Sequence, residues 1–404
     1  MHILLFDDAT RSRLLPFTHT RPIADIRCGI LTMRERWERL LGRETATLTE
    51  GYLQEVFPCH TGDDHLLVNA AIFGTAALAA AVLALAPGQA LQRNGVVLAA
   101  RTATVPAFEA LPAFLASLPS GEYPAPVARL AYVWDIFSKN DAALRDDFRL
   151  LTEGRTSQPV PAHVTVAGKE QVFIEAGAVV RPCIINAETG PVYIGAEAEV
   201  MEGCLLRGPL AVCAHTIVKM GAKIYGATTL GPGCRAGGEL NNVVMFANSN
   251  KGHDGFLGNA VLGEWCNLGA GTESSNLKNN YGEVKIWDEH SNAAVPTGLQ
   301  FCGLLMADHA KCGINTMFNT GTVAGVSCNI YGGGFPEKFI PSFSWGGSSG
   351  MDTYDFDRAM DTARRVMARR KMILPEAVVR LYRYVFEATG RQRGFFGYQV
   401  ASSQ

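Results

Sequence analysis

The sequence predicts three parts: an α/β domain over residues 1–155, a left-handed parallel β-helix of hexapeptide repeats over 156–336, and a short α-helical extension over 337–404. Strand-like and helix-like runs alternate through the first part, the pattern of an α/β layer with a mostly parallel sheet. An aliphatic residue recurs at every sixth position through the second, and amphipathic helical spacing replaces that period after Pro336. A chain of 404 residues also exceeds what one hydrophobic core usually organises.

In the first part the strand candidates are His2–Phe6, Thr45–Thr49, Leu66–Asn69 and Val96–Ala100. The helix candidates are Ile30–Leu41, Thr75–Leu85, Ala107–Leu118 and Ala142–Leu151. Sheets of this kind bind ligands at the carboxyl ends of their strands.

In the second part Ile194, Val200, Leu206, Val212, Val218, Ile224, Leu230 and Ala236 follow one another at intervals of six. Small or modest residues such as Ala198, Cys204, Ala222 and Cys234 stand four places after. The phase is already present at Ile174 and Val180 and returns at Leu262, Leu268 and from Met306 to Ile330. Six matches neither helix nor alternating strand; it is the period of a triangular solenoid with about 18 residues per coil. The aliphatic fills the interior and the small residue lets the chain turn. Spacing alone does not reveal the hand; hexapeptide coils are normally left-handed. Register breaks at 186–191, 241–257 and 273–296 predict loops on the solenoid face, where binding sites are commonly built. Asp352–Lys371 and Pro375–Thr389 then read as two amphipathic helices.

Composition narrows the function. Net charge is −2 and 18% of residues are charged, against about 25% on average, so the concentrated basic field of a nucleic-acid binder is missing. The longest apolar run, Ala76–Ala86, falls short of a membrane span. Ten cysteines without a CxxC pair read as reduced thiols, and the expectation is a soluble cytoplasmic protein. Cys204, Cys234, Cys312 and Cys328 fall on repeat positions and read as core residues. The histidines of the repeat region, His215, His253, His290 and His309, lack the close pair expected of a metal site within one chain. From Thr353 onward ten Arg/Lys stand against five Asp/Glu, clustered at Arg364, Arg365, Arg369, Arg370 and Lys371. A solvated helical face is one reading of that cluster, and contact with coenzyme A phosphates is the other.

The chemistry centres on His253, flanked by Gly252, Gly255 and Gly258 in the second register break. Glycines let backbone approach a ligand closely, and imidazole, with an intrinsic pKa of about 6.5, suits proton removal from an amine or hydroxyl. The run Gly252-His253, Leu257-Gly258, Leu262-Gly263 and Asn267-Leu268-Gly269-Ala270-Gly271-Thr272 resembles the acetyltransferase half of the bifunctional glucosamine-1-phosphate N-acetyltransferase/N-acetylglucosamine-1-phosphate uridyltransferases. The resemblance implies a divergent, shortened branch of that family. By it, His253 is the general base and Asn267 holds the amino sugar. Glu239 and Lys223 contact the acceptor, Lys223 in place of a family arginine, and Lys285 binds phosphate. Asn276, with Tyr281, lies near the acetyl group of acetyl-CoA. It also implies homotrimers with acetyl-CoA between neighbouring β-helices. Phe256 stands where the family has a tyrosine, Asn241 where it has a lysine, and Leu277 where it has a second tyrosine.

The run Thr10-Arg11-Ser12-Arg13-Leu14-Leu15-Pro16 resembles the opening signature of sugar nucleotidyltransferases. The family's Gly-rich phosphate loop is replaced by Asp7-Asp8-Ala9, whose carboxylates would repel phosphate unless they hold Mg²⁺. Arg11, Arg13, Arg21 and Asn69 are the nucleotide-binding candidates, with Asp7, Asp8 and Asp135 as metal candidates. Two readings stand for this domain, active transfer from UTP or a degenerate regulatory part. The expected activity is acetyl-CoA-dependent N-acetylation of glucosamine 1-phosphate, coupled to uridylylation if the first domain works. The alternative is a sugar-1-phosphate nucleotidyltransferase whose β-helix only trimerises or regulates.

Overall fold

His2–Phe6 is apolar and buried along almost its whole length, which suits a central strand covered on both faces. In the computed structural model, which describes residues 1–60 and 62–395, it pairs in parallel with Ala46–Leu48 on one side and His65–Asn69 on the other. The sheet then departs from the mostly parallel expectation. Val96–Thr102 joins His65–Asn69 antiparallel, Gln89–Arg93 returns against it as a hairpin, and Ser120–Glu122 closes the edge. Gln89–Arg93 and Ser120–Glu122 lack the apolar alternation that would have flagged them.

The helices follow their local signals. Met33–Leu41 opens on a capping box between Thr32 and Glu35 and stops at Gly42, whose φ of 66° costs a glycine little. Thr75 caps Ala76–Leu83. The helix expected over 107–118 contracts to Leu111–Ala116 behind a 3₁₀ turn at Phe108–Ala110.

Contacts divide the chain into two units, Met1–Ile26 with Leu31–Val133, and Arg27–Ile30 with Trp134 onward. The expected boundary near 155 therefore differs from the contact boundary: helix Asn140–Thr152 falls in the second unit, where Asn140 Nδ2 donates to Ala227 O at 2.7 Å. Of the extension expected over 337–404, residues 396–404 lie outside the described residues.

The second unit is a parallel β-solenoid. Its regular rungs pair residues 18 apart, Val200 with Val218 and Val212 with Leu230. The aliphatic column from Ile174 to Ile330 is buried in one continuous core with Cys204, Ala222 and Cys234. Three faces alternate along the chain. Face 1 holds Val212 and Leu230, face 2 holds Val218 and Ala236, and face 3 holds Leu206 and Ile224.

The second register break is not the inserted loop that the sequence suggested. Ala236 pairs with Lys251, 15 residues on, and Leu240 with Leu257, 17 on, so these rungs are shortened. Glu239–Met245 and Phe256–Leu262 each run straight from face 3 to face 1. The third break is a true insertion: Leu262 pairs with Met306, and the intervening chain carries an antiparallel hairpin of Lys285–Asp288 and Ala293–Pro296.

Past the solenoid, helix Phe356–Ala368 is capped by Asp355 and buries Phe356, Ala359, Met360, Ala363 and Met367 on one stripe. Helix Glu376–Ala388 follows Pro375. No helix among the described residues is long and apolar enough to cross a membrane.

Candidate active site

His253 lies at the corner between face 2, at Asn250–Lys251, and face 3, at Phe256–Leu262. Its side chain is exposed, and the corner is held from both sides by backbone: Gly271 N donates to Asp254 O at 3.1 Å, and Glu239 N to Gly255 O at 3.2 Å. Gly255 is required here, since its φ is 119° and a Cβ would lie 2.1 Å from Thr272 O.

Inside the corner sits Lys251, the in-register neighbour of Ala236 in the solenoid core. Its ammonium donates to Gly237 O at 3.2 Å and to His253 O. Burial lowers its pKa, partly opposed by Glu273 and Asp254. Lys251 thus anchors the histidine's own carbonyl, a role hidden from sequence because the shortened rung moves it off the hexad phase.

On face 3, outward positions of successive rungs align as a column of Ile184, Leu205, Lys223, Glu239 and Phe256. Lys223 and Glu239 are therefore adjacent, two rungs leading up to Phe256, three residues after His253. Tyr225, which points outward two residues after Lys223, donates to Glu239 Oε1 at 2.6 Å. The carboxylate raises the phenol pKa to about 12. Strand alternation was the signal that could have found Tyr225.

Asn276 reaches the same neighbourhood. Its Nδ2 donates to Asn259 Oδ1 at 2.8 Å, and a Cβ on Gly258 would touch both that nitrogen and the Phe256 ring. Asn267 lies on face 2 instead, accepting from Asn250 Nδ2 at 2.7 Å. Lys285 and Tyr281 sit in the long insertion, both exposed; the Lys285 backbone packs on Gly321, and no ladder aligns either with Lys223.

In the first unit a cavity of about 560 Å³ opens at the carboxyl ends of His2–Phe6 and His65–Asn69. Asp8, Thr10, Arg13, Asn69 and Arg129 line it. Arg13 is exposed and rests on the Tyr132 ring at 5.4 Å. Arg129 was not singled out in the sequence, where nothing marks it. Arg11 is buried away from that lining, bonded to Asp7 at 3.1 Å, Arg21 O, Thr18 O and Tyr52. Arg21 is buried too and does not line the cavity.

Asp7 is buried, with Oδ1 accepting from Ile23 N at 2.8 Å and Oδ2 from Thr49 at 2.6 Å and Arg11. Burial raises its pKa despite these partners. Asp8 accepts from Asn69 at 2.9 Å and from Thr10, facing the cavity. Magnesium takes one or two carboxylates plus substrate phosphates, so Asp8 is the carboxylate that fits it; Asp7 is committed to the fold. Asp135 belongs to the second unit and pairs with Lys139 at 3.4 Å. No cluster of three metal-binding side chains occurs among the described residues. The repeat cysteines are buried, and burial pushes Cys234 and Cys328 up to about 12, as suits core residues.

Comparison with known proteins agrees with this architecture. Residues 3–156 match a family model described as sugar nucleotidyl transferase. Over part of its length the chain is similar to bifunctional GlmU proteins. It is 25% identical over 240 residues to the bifunctional protein GlmU of Synechococcus elongatus, covering 54% of this chain and 49% of that one. It is 28% identical over 102 residues to a bifunctional sugar-1-phosphate nucleotidylyltransferase/acetyltransferase of Sulfurisphaera tokodaii, a quarter of each chain. The chain thus spans about half the length, or less, of the curated relatives it matches. Among solved structures, the UDP-N-acetylglucosamine acyltransferase of Francisella novicida matches at 12% identity and a TM-score of 0.28, covering 58% of this chain and 76% of that one.

Proposed function

We propose that the solenoid catalyses acetyl-CoA-dependent N-acetylation of glucosamine 1-phosphate, and that the first domain uridylylates the product with UTP and Mg²⁺. The observation carrying this reading is the Lys223–Glu239–Phe256 column beside the His253 corner. A cation, a carboxylate and an exposed imidazole on adjoining rungs match an acceptor that bears both a phosphate and an amine.

In the reaction His253 takes the proton from the ammonium, and the freed amine attacks the thioester carbonyl. The C–N bond forms, the C–S bond breaks, and the coenzyme thiolate leaves and is protonated. Asn276 spends one amide N–H on Asn259, so the other is available to the carbonyl oxygen. Lys223, with Lys285 from the insertion, balances the acceptor phosphate, Glu239 holds the sugar, and Asn267 contributes from the other flank of the corner. Tyr281 lies in the same insertion and completes the acetyl-CoA contacts. In the first domain Arg13 and Asn69 hold the nucleotide, and Asp8 takes the metal.

The working form in this reading is a homotrimer. The lower part of the same column exposes Ile184 at 49% and Leu205 at 47%, and the face 2–face 3 corners expose Met220 at 70% and Ile314 at 72%. A second chain covering these apolar side chains would border Lys223, Glu239 and His253, and acetyl-CoA would lie in that seam.

The test measures CoA release with glucosamine 1-phosphate, then pyrophosphate release with UTP and Mg²⁺. His253→Ala should lower CoA release by about 100-fold or more and leave pyrophosphate release intact. Undiminished CoA release in His253→Ala overturns the assignment of the base. Pyrophosphate release without any CoA release by the wild type favours the reading in which the solenoid only trimerises or regulates.

A further inference from the structure

A second cavity, of about 590 Å³, lies within the second unit between face 2 of the solenoid and helix Phe356–Ala368. Its floor is an outward column of Arg235, Asn250, Asn267 and Lys311 on consecutive rungs. Its roof is Thr362 and Val366 of the helix, with Arg369 and Arg370 just past its end.

Four cations line this cavity and no carboxylate does. None of the four is in an ion pair among the described residues, and the side-chain hydrogen bonds of Arg235, Arg370 and Lys311 go to backbone carbonyls. Arg235 donates to the carbonyls of His215, Gly233 and Cys234, Arg370 to Gly233 O at 2.8 Å, and Lys311 to His309 O at 2.7 Å. The pKa of Arg235 is lowered by burial and then by Arg370, partly opposed by Glu199. Lys311 is lowered by burial to about 8. Packing like charges together with no carboxylate in the lining is costly in the empty state, and the cost is recovered when an anion enters. Arginine forks match phosphate oxygens two at a time.

We propose that this cavity binds an anion carrying two or more phosphate groups, gripped between Arg235 and Lys311 of the solenoid and Arg369 and Arg370 of the C-terminal helix. The size suits a diphosphate with an attached group, since ligand cavities run from about 300 to 1,000 Å³. The inference goes beyond the acyl-transfer reading; Asn267 is common to both, but the inference does not depend on that reading, because its readout is binding alone.

The experiment is calorimetric titration of the full chain with inorganic pyrophosphate, without Mg²⁺, followed by UDP and coenzyme A as separate arms. Arg369→Ala should weaken pyrophosphate at least tenfold, and Arg369→Lys should restore much of it. Lys311→Gln guards against misfolding: it removes a burial-disfavoured charge, so its melting temperature should hold while affinity drops. Tighter binding of coenzyme A than of UDP identifies an acyl-donor anion, and the reverse order a nucleoside diphosphate. Pyrophosphate affinity unchanged in both Arg369→Ala and Lys311→Gln overturns the proposal.

Discussion

Replacing Lys251 by methionine tests whether an ammonium inside the solenoid anchors the His253 corner. Two effects oppose each other. Methionine fits a core position between Ala236 and Leu268 and removes a charge that burial disfavours. It also strands Gly237 O and His253 O, which accept from Lys251 Nζ. Hydrogen bonds to charged donors are worth about 1.5–3 kcal/mol each, so two outweigh a partial burial penalty. The expected result is a net loss of about 1–3 kcal/mol, a drop of several degrees in melting temperature. The corner should also loosen, with amide exchange at His253–Gly255 accelerating more than at the regular rung Val212–Val218. Scanning calorimetry and hydrogen exchange read both. Unchanged exchange at the corner together with a raised melting temperature would refute the anchoring argument.

Three further outcomes follow from the same geometry. Arg11→Ala should cost the first unit about 3–5 kcal/mol, because it leaves Asp7 buried without its cation. Arg13→Ala, at an exposed position, should leave thermal stability nearly unchanged and weaken UTP binding instead. Lys311 has its pKa lowered from 10.5 to about 8, so between those values the unfolded chain holds more protons. Wild-type stability should therefore gain up to about 3 kcal/mol relative to Lys311→Gln as pH rises through that window, with no change in the difference below it. Denaturant titrations at pH 7, 9 and 10 measure it.

Much of this was legible before any coordinates. The hexads announce the solenoid because a side chain's inward or outward direction is set locally, and eight aliphatics in phase satisfy only one geometry. The capping box at Thr32 and Glu35 and the stripe from Phe356 to Met367 are likewise local signals. His253 stood out because its glycine neighbours did.

What the linear order left open was alignment between rungs. Rung length is a sum over intervening residues, so a rung of 15 instead of 18 shifts every later column and brings Lys251 inside. Column partners such as Lys223 and Glu239 follow from that sum, as does the separation of Asn267 onto another face. Charge roles were decided later still. Arg11 and Arg13 are two residues apart in one short segment, yet one is buried on Asp7 and the other lines a cavity. The sequence by itself determined that the hexad-phase aliphatics face the core; the tertiary structure alone decided which polar residues, such as Lys251 and Arg11, are buried as well and which outward residues meet, because burial and partner choice depend on chain segments far away in sequence.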